Sequence, residues 1–444
     1  MGSKCRRAVQ HDGRAIRIYA ATLLILLLTG CTASEGTATI SDSPVPTPHP
    51  VATSPLPTPT VVPPSPLVVT LSLWLPVDMD PYADSPGAAL LAQRLTDFGQ
   101  AYPNLQVRVV VKEAEGRGGL MDFIRTASVA APSVLPDLVV LDTASLRVAT
   151  QQGLLQPMDD LLPTSLAGDR FPFASMLGDV DGQTMGATLA AELEHLAYWP
   201  GLVARPPLTW TAVISAESQL AFPAAGLEGG IHDFTLAQYL SAGGRLVSEE
   251  DSPQIDEGAL AAVLSFYAQA ISTGVISPTT ILNLADTDEC WEIFRSQEVG
   301  MAVVNSRRFW TDRELAALPA PLPAPNGGSL TLAEGWAIGL VTSNPDRQRQ
   351  AMLLLEWLLA PEHSGPWTQA SGYLPPTFSA SQEWNVTEGE REVLEAILAG
   401  AISQPDPNTR AATAPAMQAA LEDVLSGQRS PEDAAAEAAD SFTP

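Results

Sequence analysis

The stretch LVVTLSLWL at residues 67–75 opens the part of the chain that decides the fold. An alternating run, VRVVV, follows at residues 107–111, and a short apolar run, LVVL, follows at residues 138–141. Apolar residues at helical spacing fill the two intervals, over residues 91–102 and 120–127. Strands that alternate with helices in this order predict a parallel sheet in an α/β fold.

The rest of the chain returns to strands after a helical interval. Residues 190–300 are mostly helical in pattern, with breaks at Gly and Pro, and apolar strand-like runs follow at residues 299–304 and 336–341. Residues 385–444 are rich in Ala and predict helices. A strand-bearing region that returns in this way indicates a chain that crosses between two lobes more than once.

Residues 1–30 have the pattern of a secretory signal. Five Lys and Arg side chains precede an uncharged, mostly apolar run at residues 18–28, which is too short to span a bilayer. Residues 28–31 (LTGC) resemble the bacterial lipobox, in which Cys31 becomes the lipidated first residue of the mature chain. An ordinary signal peptide with a chance cysteine and a twin-arginine export signal at Arg6-Arg7 remain alternatives.

Residues 31–66 are predicted to form a lipidated cysteine followed by a tether rich in Pro, Thr and Ser. Ten prolines lie between Pro44 and Pro66. Such a stretch cannot bury a core and prefers the extended polyproline II conformation, which makes a semi-rigid spacer. After processing, Cys31 and Cys290 are the remaining cysteines, so we expect no disulfide.

Charge and missing motifs exclude several functions. The chain carries 50 Asp and Glu against 23 Lys and Arg, a net charge of −27, which argues against nucleic acid and, more weakly, against a polyanionic ligand. The sequence lacks a Gly-Lys phosphate loop, an HExxH pair and a GxSxG elbow. We therefore expect neither an enzyme nor a bound metal or cofactor, although Glu192 and Glu194 can be imagined as a glycosidase pair.

Several segments together resemble the extracellular solute-binding protein family 1 of ABC importers, the sugar-binding type related to maltose-binding protein. Their order and spacing along residues 67–440 carry the resemblance. The segments are FGQAYP at 98–103, PDLVVLD at 136–142, GLLQPMD at 153–159, DGQ at 181–183, PLTW at 207–210, GWAI at 335–338 and SGYLP at 371–375. The chain departs from the family at Tyr198-Trp199, where Tyr-Asn is usual.

The resemblance implies a two-lobed α/β fold of the periplasmic-binding-protein type 2, with hinge crossovers and a ligand in the cleft between the lobes. The N-terminal lobe is then expected at residues 67–188 together with 312–357. The C-terminal lobe is expected at residues 189–311 together with 358–444. In open α/β sheets, ligands lie beyond the carboxyl ends of the strands, which agrees with this arrangement.

Eight side chains are the candidates for ligand contact. A sugar offers an apolar face that stacks on flat aromatic rings and hydroxyls that pair with polar side chains. The candidates lie at strand ends, in Gly- or Pro-bounded loops or in the expected hinge segment: Trp74, Asp142, Glu194, His195, Trp199, Trp310, Trp336 and Tyr373. For each, core packing, helix capping or a solvated face is the alternative. Trp210, Trp291, Trp357 and Trp367 are expected to have packing roles, and the loop position of Trp384 gives no indication.

The resemblance therefore implies a lipid-anchored solute-binding protein that captures a small neutral solute, a sugar or oligosaccharide, by lobe closure. We expect a monomer, held through Cys31 at the outer face of the cytoplasmic membrane, which delivers its ligand to ABC permease subunits. Two alternatives remain open. One is a surface sensor or scaffold without a transport role, and the other is a secreted lipoprotein hydrolase.

Overall fold

A computed structural model describes residues 68–226, 230–312 and 316–442. The expected signal peptide, Cys31 and the tether lie outside the described residues. Helices α1 to α3 and strands β1 to β3 form the first part of the fold, with short 3-10 turns at Val77–Met79 and Pro132–Val134. Their bounds are β1 Val69–Pro76, α1 Pro86–Ala101, β2 Leu105–Lys112, α2 Leu120–Ala130, β3 Leu138–Asp142 and α3 Thr143–Gln151.

This first part confirms the predicted parallel α/β arrangement. Strand β1 lies between β2 and β3 and pairs with both in parallel. Helix α1 begins where Ser85 accepts a hydrogen bond from the Ala88 amide, with Pro86 at the first helical position. Because parallel strands are covered by helices on both faces, β1 and β3 are apolar on both sides, and Leu73 and Val139 are fully buried.

The middle of the described chain alternates short helices with strands. Its bounds are α4 Thr164–Asp169, α5 Pro172–Gly178, β4 Asp179–Val180, β5 Gln183–Thr184, β6 Gly186–Tyr198, α6 Trp210–Ile214, β7 Leu220–Ala221, α7 Asp233–Ser241, α8 Glu257–Ser272, α9 Pro278–Ile281 and α10 Thr287–Arg295. The mostly helical pattern predicted for residues 190–300 is wrong for residues 190–198, which belong to strand β6. TLAAELEHLAY at 188–198 has helical propensity, but pairing with neighbouring strands overrides it.

The last part returns to the sheet and then ends in helices. Its bounds are β8 Met301–Asn305, α11 Ser306–Thr311, β9 Leu318–Ala320, β10 Thr331–Leu340, α12 Pro345–Leu359, α13 Pro361–Ser371, α14 Phe378–Gln382, α15 Glu388–Ala399, β11 Ala401–Ser403, α16 Pro407–Leu425 and α17 Pro431–Asp440. Asn344 caps α12 through the amides of Asp346 and Arg347, as the Asn-Pro pair predicts.

Two long strands, β6 and β10, join the halves of the sheet. Residues 186–193 of β6 pair antiparallel with β10, and β10 in turn pairs antiparallel with β3. Residues 194–198 of β6 pair instead with β8, and 196–198 also pair with β9. Both strands therefore belong to each half and form the crossovers of a two-lobed, periplasmic-binding-protein-like fold.

Separate cores support the two halves. One joins β1 and β3 to α1 and α12, through residues such as Leu71, Phe98 and Leu354. Another surrounds α8 and α16, through residues such as Leu260 and Met417. The exact lobe boundaries stay a prediction. Strand β9, expected in the N-terminal lobe, pairs with the second part of β6, and α13, expected in the C-terminal lobe, packs on α1.

A buried ion pair fastens α12 to the edge of β3. Asp137 is 2% exposed, accepts a hydrogen bond from the Ser72 amide at 2.8 Å and lies 2.6 Å from Nε of Arg347. A buried carboxylate needs such partners to offset its lost hydration. Within the described residues, none of the helices is both long and apolar enough to cross a membrane.

Candidate functional site

A cavity of about 470 Å³ lies at the carboxyl ends of β1, β2 and β3. Its walls come from the loops after these strands, from the start of α3, from β10 and from the start of α16. The polar and aromatic lining residues are Asp78, Glu115, Asp142, Thr143, Arg147, Glu334, Trp336, Gln404 and Arg410. The location agrees with the rule that open α/β sheets bind ligands beyond their strand ends.

A second cavity of about 580 Å³ adjoins the first on the side of the other half. Its polar lining comes from Glu194 on β6, from His232 and Asp233 at the start of α7, and from Arg410. Pro407 and Arg410 line both cavities, so the two spaces meet at the first turn of α16. We call the two cavities together the cleft; the first has walls from both halves, and the second is lined by β6, the start of α7 and α16.

The start of α16 is built to hold Arg410 between the cavities. Asp406 caps the helix by accepting hydrogen bonds from the amides of Asn408 and Thr409, and Pro407 follows at the first helical position. Arg410 then lies 2.5 Å from Oδ1 of Asp233 and donates to Oε1 of Gln404 at 2.7 Å and to the carbonyl of Ile231 at 3.1 Å. Its guanidinium therefore ties α16 to the start of α7.

Strands β6 and β10 bring two carboxylates face to face beside the cleft. Glu192 and Glu334 are direct cross-strand partners, an arrangement that is unfavourable for like charges. Burial raises the pKa of Glu192, while Arg307, 3.6 Å away, opposes the rise. Burial, together with the charges of Asp233 and Glu192, also raises the pKa of Glu334.

Glu194 has the most perturbed carboxyl group of the site. Its side chain is 13% exposed, and its Oε1 lies 3.4 Å from Nε2 of His232. Burial, and then the charges of Asp233 and Glu334, raise the pKa of Glu194 well above its usual value. Among the described residues, its Oε2 is buried without a hydrogen-bond partner.

His232 does not supply the missing positive charge. Burial lowers the pKa of its imidazole, Arg410 lowers it further, and Asp233 opposes the shift. Its Nδ1 accepts a hydrogen bond from the Phe234 amide at 3.4 Å, which caps α7. The His232 ring therefore both caps α7 and faces the second cavity.

Three of the eight candidate residues line the cleft. Asp142 caps α3 through the Ser145 amide at 2.8 Å, and it pairs across the sheet with Trp336, which is half-buried. Both line the first cavity, and Glu194 lines the second. Asp142 therefore both caps α3 and lines the first cavity.

His195 lies on β6 and Trp199 follows directly after it, and both pack inside the protein. His195 is 1% exposed, with Nδ1 2.9 Å from the Leu196 carbonyl and its ring edge-to-face with Phe309. Trp199 stacks on Phe294, with ring centroids 5.1 Å apart, and donates to the Phe294 carbonyl at 2.8 Å. The structure places neither residue on the two cavities.

Trp74, Trp310 and Tyr373 are likewise packed in the interior. Trp74 is 5% exposed and meets Phe123 edge-to-face at 6.4 Å. Trp310 meets Trp384 at 5.1 Å, and Tyr373 is fully buried beneath the guanidinium of Arg307. A position near a strand end suggested ligand contact, but these rings are large enough to reach back into the core.

Sequence reasoning missed several cleft residues, and one of them carried a usable signal. Glu334 precedes Trp336 by two positions, so strand alternation places both on one face. Arg410 lies in an Ala-rich segment that reads as a packing helix, and no local pattern marks it. In the described parts of the chain, no group of three or more His, Cys, Asp or Glu side chains is placed to hold a metal ion.

The chain belongs to the family described as bacterial extracellular solute-binding protein, whose model matches residues 93–391. This family and the structural relatives below are solute-binding proteins rather than enzymes. Membership also implies a location outside the cytoplasm. No curated protein matches the sequence.

Solved structures share the fold at low sequence identity. The cyclic α-maltosyl-1,6-maltose binding protein of Arthrobacter globiformis is 19% identical, with a TM-score of 0.67 over 84% of this chain and 98% of its own. The sugar-binding protein MalE of Xanthomonas citri is 19% identical, with a TM-score of 0.66 over 84% and 96%. Maltose-bound MalE3 of T. maritima is 18% identical, with a TM-score of 0.59 over 84% and 98%.

Proposed function

We propose that the chain captures a saccharide in the cleft between its two halves and delivers it to an ABC permease. The observation that carries this proposal is the pair of adjoining cavities at the strand ends, which meet at Arg410. Structural relatives of the same fold include proteins named for binding maltose and a cyclic maltosyl-maltose.

The lining suits a sugar chemically. Trp336 offers a flat ring to the apolar face of a pyranose, and Asp142 and Glu334 beside it accept hydrogen bonds from hydroxyls. Arg147 and Arg410 donate to sugar oxygens from opposite walls. Polar groups of this kind favour a ligand whose hydroxyls satisfy them once water is excluded.

Lobe closure follows from the arrangement of the walls. Asp142 and Arg147 belong to the half that contains β1 to β3, whereas Asp233 and Arg410 belong to the half that contains α7 and α16. A ligand that touches both sets stabilises the closed state more than the open one, which is the condition for ligand-driven closure. The crossover strands β6 and β10 would act as the hinge.

Delivery and anchoring complete the proposal. The family supports an importer role, and the LTGC sequence at residues 28–31 supports lipidation of Cys31. The tether would then hold the folded part, a monomer, at the outer face of the cytoplasmic membrane. Closed, ligand-bound protein would dock on the permease subunits.

Intrinsic fluorescence of the full chain, purified in mild detergent, tests ligand capture. A panel of mono- and oligosaccharides should contain a member that shifts tryptophan emission saturably and raises the Tm. The emission change should be lost in Trp336→Phe and kept in Trp357→Phe, which removes a half-buried indole away from the cleft. A panel without any such member would overturn the saccharide proposal.

A further inference from the structure

Outside the cleft, helix α11 meets the turn at residues 371–373, at the end of α13. Helix α11 continues directly from β8, whose Met301 and Val303 belong to the core around α8 and α16, in the second half. Helix α13 packs on α1, and Tyr373 just beyond it belongs to the core that joins β1 and β3 to α1 and α12, in the first half. The contact therefore joins the two halves at a place separate from the pairing of β6 with β10.

Gly372 lets α11 approach this turn closely. Its φ is 74°, in the left-handed region that favours glycine, and a Cβ atom there would lie 2.7 Å from Cγ2 of Thr311 and 2.9 Å from the Arg307 carbonyl oxygen. On the other side, a Cβ atom on Gly87 of α1 would collide with the Ser371 hydroxyl group. The turn is therefore packed between α1 of the first half and α11 of the second half.

Arg307 makes the side-chain part of this contact. The central carbon of its guanidinium group lies 4.3 Å from the centre of the Tyr373 ring, and its Nη1 atom lies 3.6 Å from Oε1 of Glu192. A planar guanidinium group can stack on an aromatic face and face a carboxylate at the same time. Tyr373 belongs to the core of the first half, and Glu192 lies on the part of β6 that pairs with β10. Arg307 therefore reaches from the second half to two groups outside it.

The first turn of α11 fixes Arg307 beside the point where β6 changes partners. Asn305 caps the helix by accepting a hydrogen bond from the Arg307 amide at 2.8 Å. The hydroxyl group of Ser306 accepts a hydrogen bond from the Leu193 amide at 3.2 Å. Leu193 is the last residue of β6 that pairs with β10, and pairing with β8 begins at Glu194. Rotation of one half about this point must therefore change the two contacts of the guanidinium group.

The cleft is open in this structure, since Asp78 and Glu115 on the walls of the first cavity are exposed to solvent. The contacts of Arg307 accordingly belong to the open arrangement of the halves. Ion pairs and interactions between a cation and an aromatic ring weaken as their partners separate. Movement of Arg307 away from Tyr373 during closure would thus cost free energy.

We propose that Arg307 is a positioning residue for ligand capture, whose contacts with Tyr373 and Glu192 stabilise the open cleft and thereby lower the affinity for ligand. The inference rests on the proposed function, because it concerns closure on a bound saccharide. Arg307 is not one of the described residues that line the two cavities. Its effect on affinity therefore comes through the equilibrium between the open and closed states, and such an effect multiplies the Kd of every ligand by the same factor.

Calorimetric titration of the full chain in mild detergent tests this inference. The ligands are maltose, maltotriose and any other saccharide of the fluorescence panel that binds the parent chain. We expect Arg307→Met to bind each of them at least threefold more tightly, by the same factor for all. Arg307→Lys keeps the charge that faces Glu192 but loses the planar group over Tyr373, so its gain should be smaller. It also serves as the second variant should Arg307→Met fold poorly.

The neighbouring arginine provides a matched control. Arg308 lies on the same turn of α11 but pairs with Glu292 at 3.1 Å and with Asp312 at 3.5 Å, close to its own helix. Arg308→Met should bind the saccharides like the parent chain. A variant that was merely destabilised would have a lower Tm without tighter binding, which separates a positioning role from a structural one.

The outcomes separate this inference from the proposed function. Unchanged or weaker binding by Arg307→Met overturns the inference and leaves the saccharide function standing. A gain for one saccharide but not for another that binds the parent indicates direct ligand contact and also overturns it. If no saccharide binds the parent chain, the proposed function is overturned, and the inference that rests on it falls as well.

Discussion

At the scale of residues, Glu194 carries the carboxyl group whose ionisation should make stability depend most on pH. Loss of hydration on burial raises the pKa of its carboxyl group, and the charges of Asp233 and Glu334 raise it further. A folded-state pKa above the unfolded value means that the native state holds the proton more tightly. Stability is then complete below the unfolded pKa and falls as pH rises toward the folded pKa.

Glu194→Gln should therefore stabilise the protein at neutral pH. The amide cannot ionise, so it avoids the loss that the carboxyl group suffers above its unfolded pKa. His232, Asp233, Glu334 and Arg410 face the group and stay unchanged in the variant. Calorimetry should show a Tm gain on the order of 1–3 °C at pH 7–8 that shrinks to nothing near pH 4. A gain that is equal at both pH values would contradict this assignment.

Arg410 should be needed for both folding and binding. Arg410→Met removes the partner of Asp233 and the donor to Gln404, and it leaves Asp233 partly buried without its cation. We expect a loss of about 1–3 kcal/mol in the free energy of unfolding and at least tenfold weaker ligand binding. Arg429→Met removes an arginine that pairs with Asp423 and Glu437 far from the cleft, and it should leave binding unchanged.

At the scale of elements, strand β10 depends on a close approach at Gly335. A Cβ atom there would lie 2.6 Å from Cδ1 of Leu177 and 2.9 Å from the Ala190 carbonyl. Gly335→Ala should cost about 1–3 kcal/mol in urea unfolding, because overpacking forces backbone shifts in the hinge. Gly389→Ala adds a Cβ with no atom within 4 Å and should leave stability the same or slightly higher.

The N-terminal segment carries a separate prediction. If the LTGC sequence is a lipobox, metabolic labelling with a fatty acid should mark the chain, and Cys31→Ser should lose the label. The variant should also leave the membrane fraction. Cys290→Ser is the matched control, since Cys290 is fully buried and should have no part in lipidation. Label that persists in Cys31→Ser would rule out the anchor.

The elements that could be predicted are those whose pattern is local. Residues 69–142 carry strand and helix periodicity on both sides of recognisable caps, and they fold as that pattern predicts. Strand β6 could not be predicted, because its Ala, Leu and Glu residues favour a helix until β8 and β10 pair with it. The cleft was harder still, since Arg410 and Glu334 meet across distant segments.

The tryptophans show the same limit of prediction from sequence. Trp336 and Trp74 both lie on strands of the first half, yet only the former lines the cleft. The position of a tryptophan along a strand determines which face of the sheet its ring occupies. Whether that face is covered depends on tertiary packing, and at Trp74 it is covered by helix α2. Ligand contact therefore depends on which strand faces remain uncovered, and that is a property of the whole fold.

At the scale of the whole molecule, closure of the two halves depends on the two strands that cross between them, β6 and β10. Strands β6 and β10 pair with each other at the point where both change partners, so rotation of one half requires coordinated bending of both strands. Hinges of this kind allow rigid-body motion with little change inside either half. Ligand binding should thus alter overall dimensions more than secondary structure.

Small-angle scattering can measure this closure directly. A saccharide that binds should, at saturation, lower the radius of gyration of the full chain while circular dichroism stays constant. Arg147→Ala removes a donor from one wall and should weaken closure, because the ligand then gains less from contacting both halves. Arg117→Ala, a change outside both cavities in the same half, should close like the parent. An unchanged radius in the parent at saturation would mean that binding does not require the halves to move.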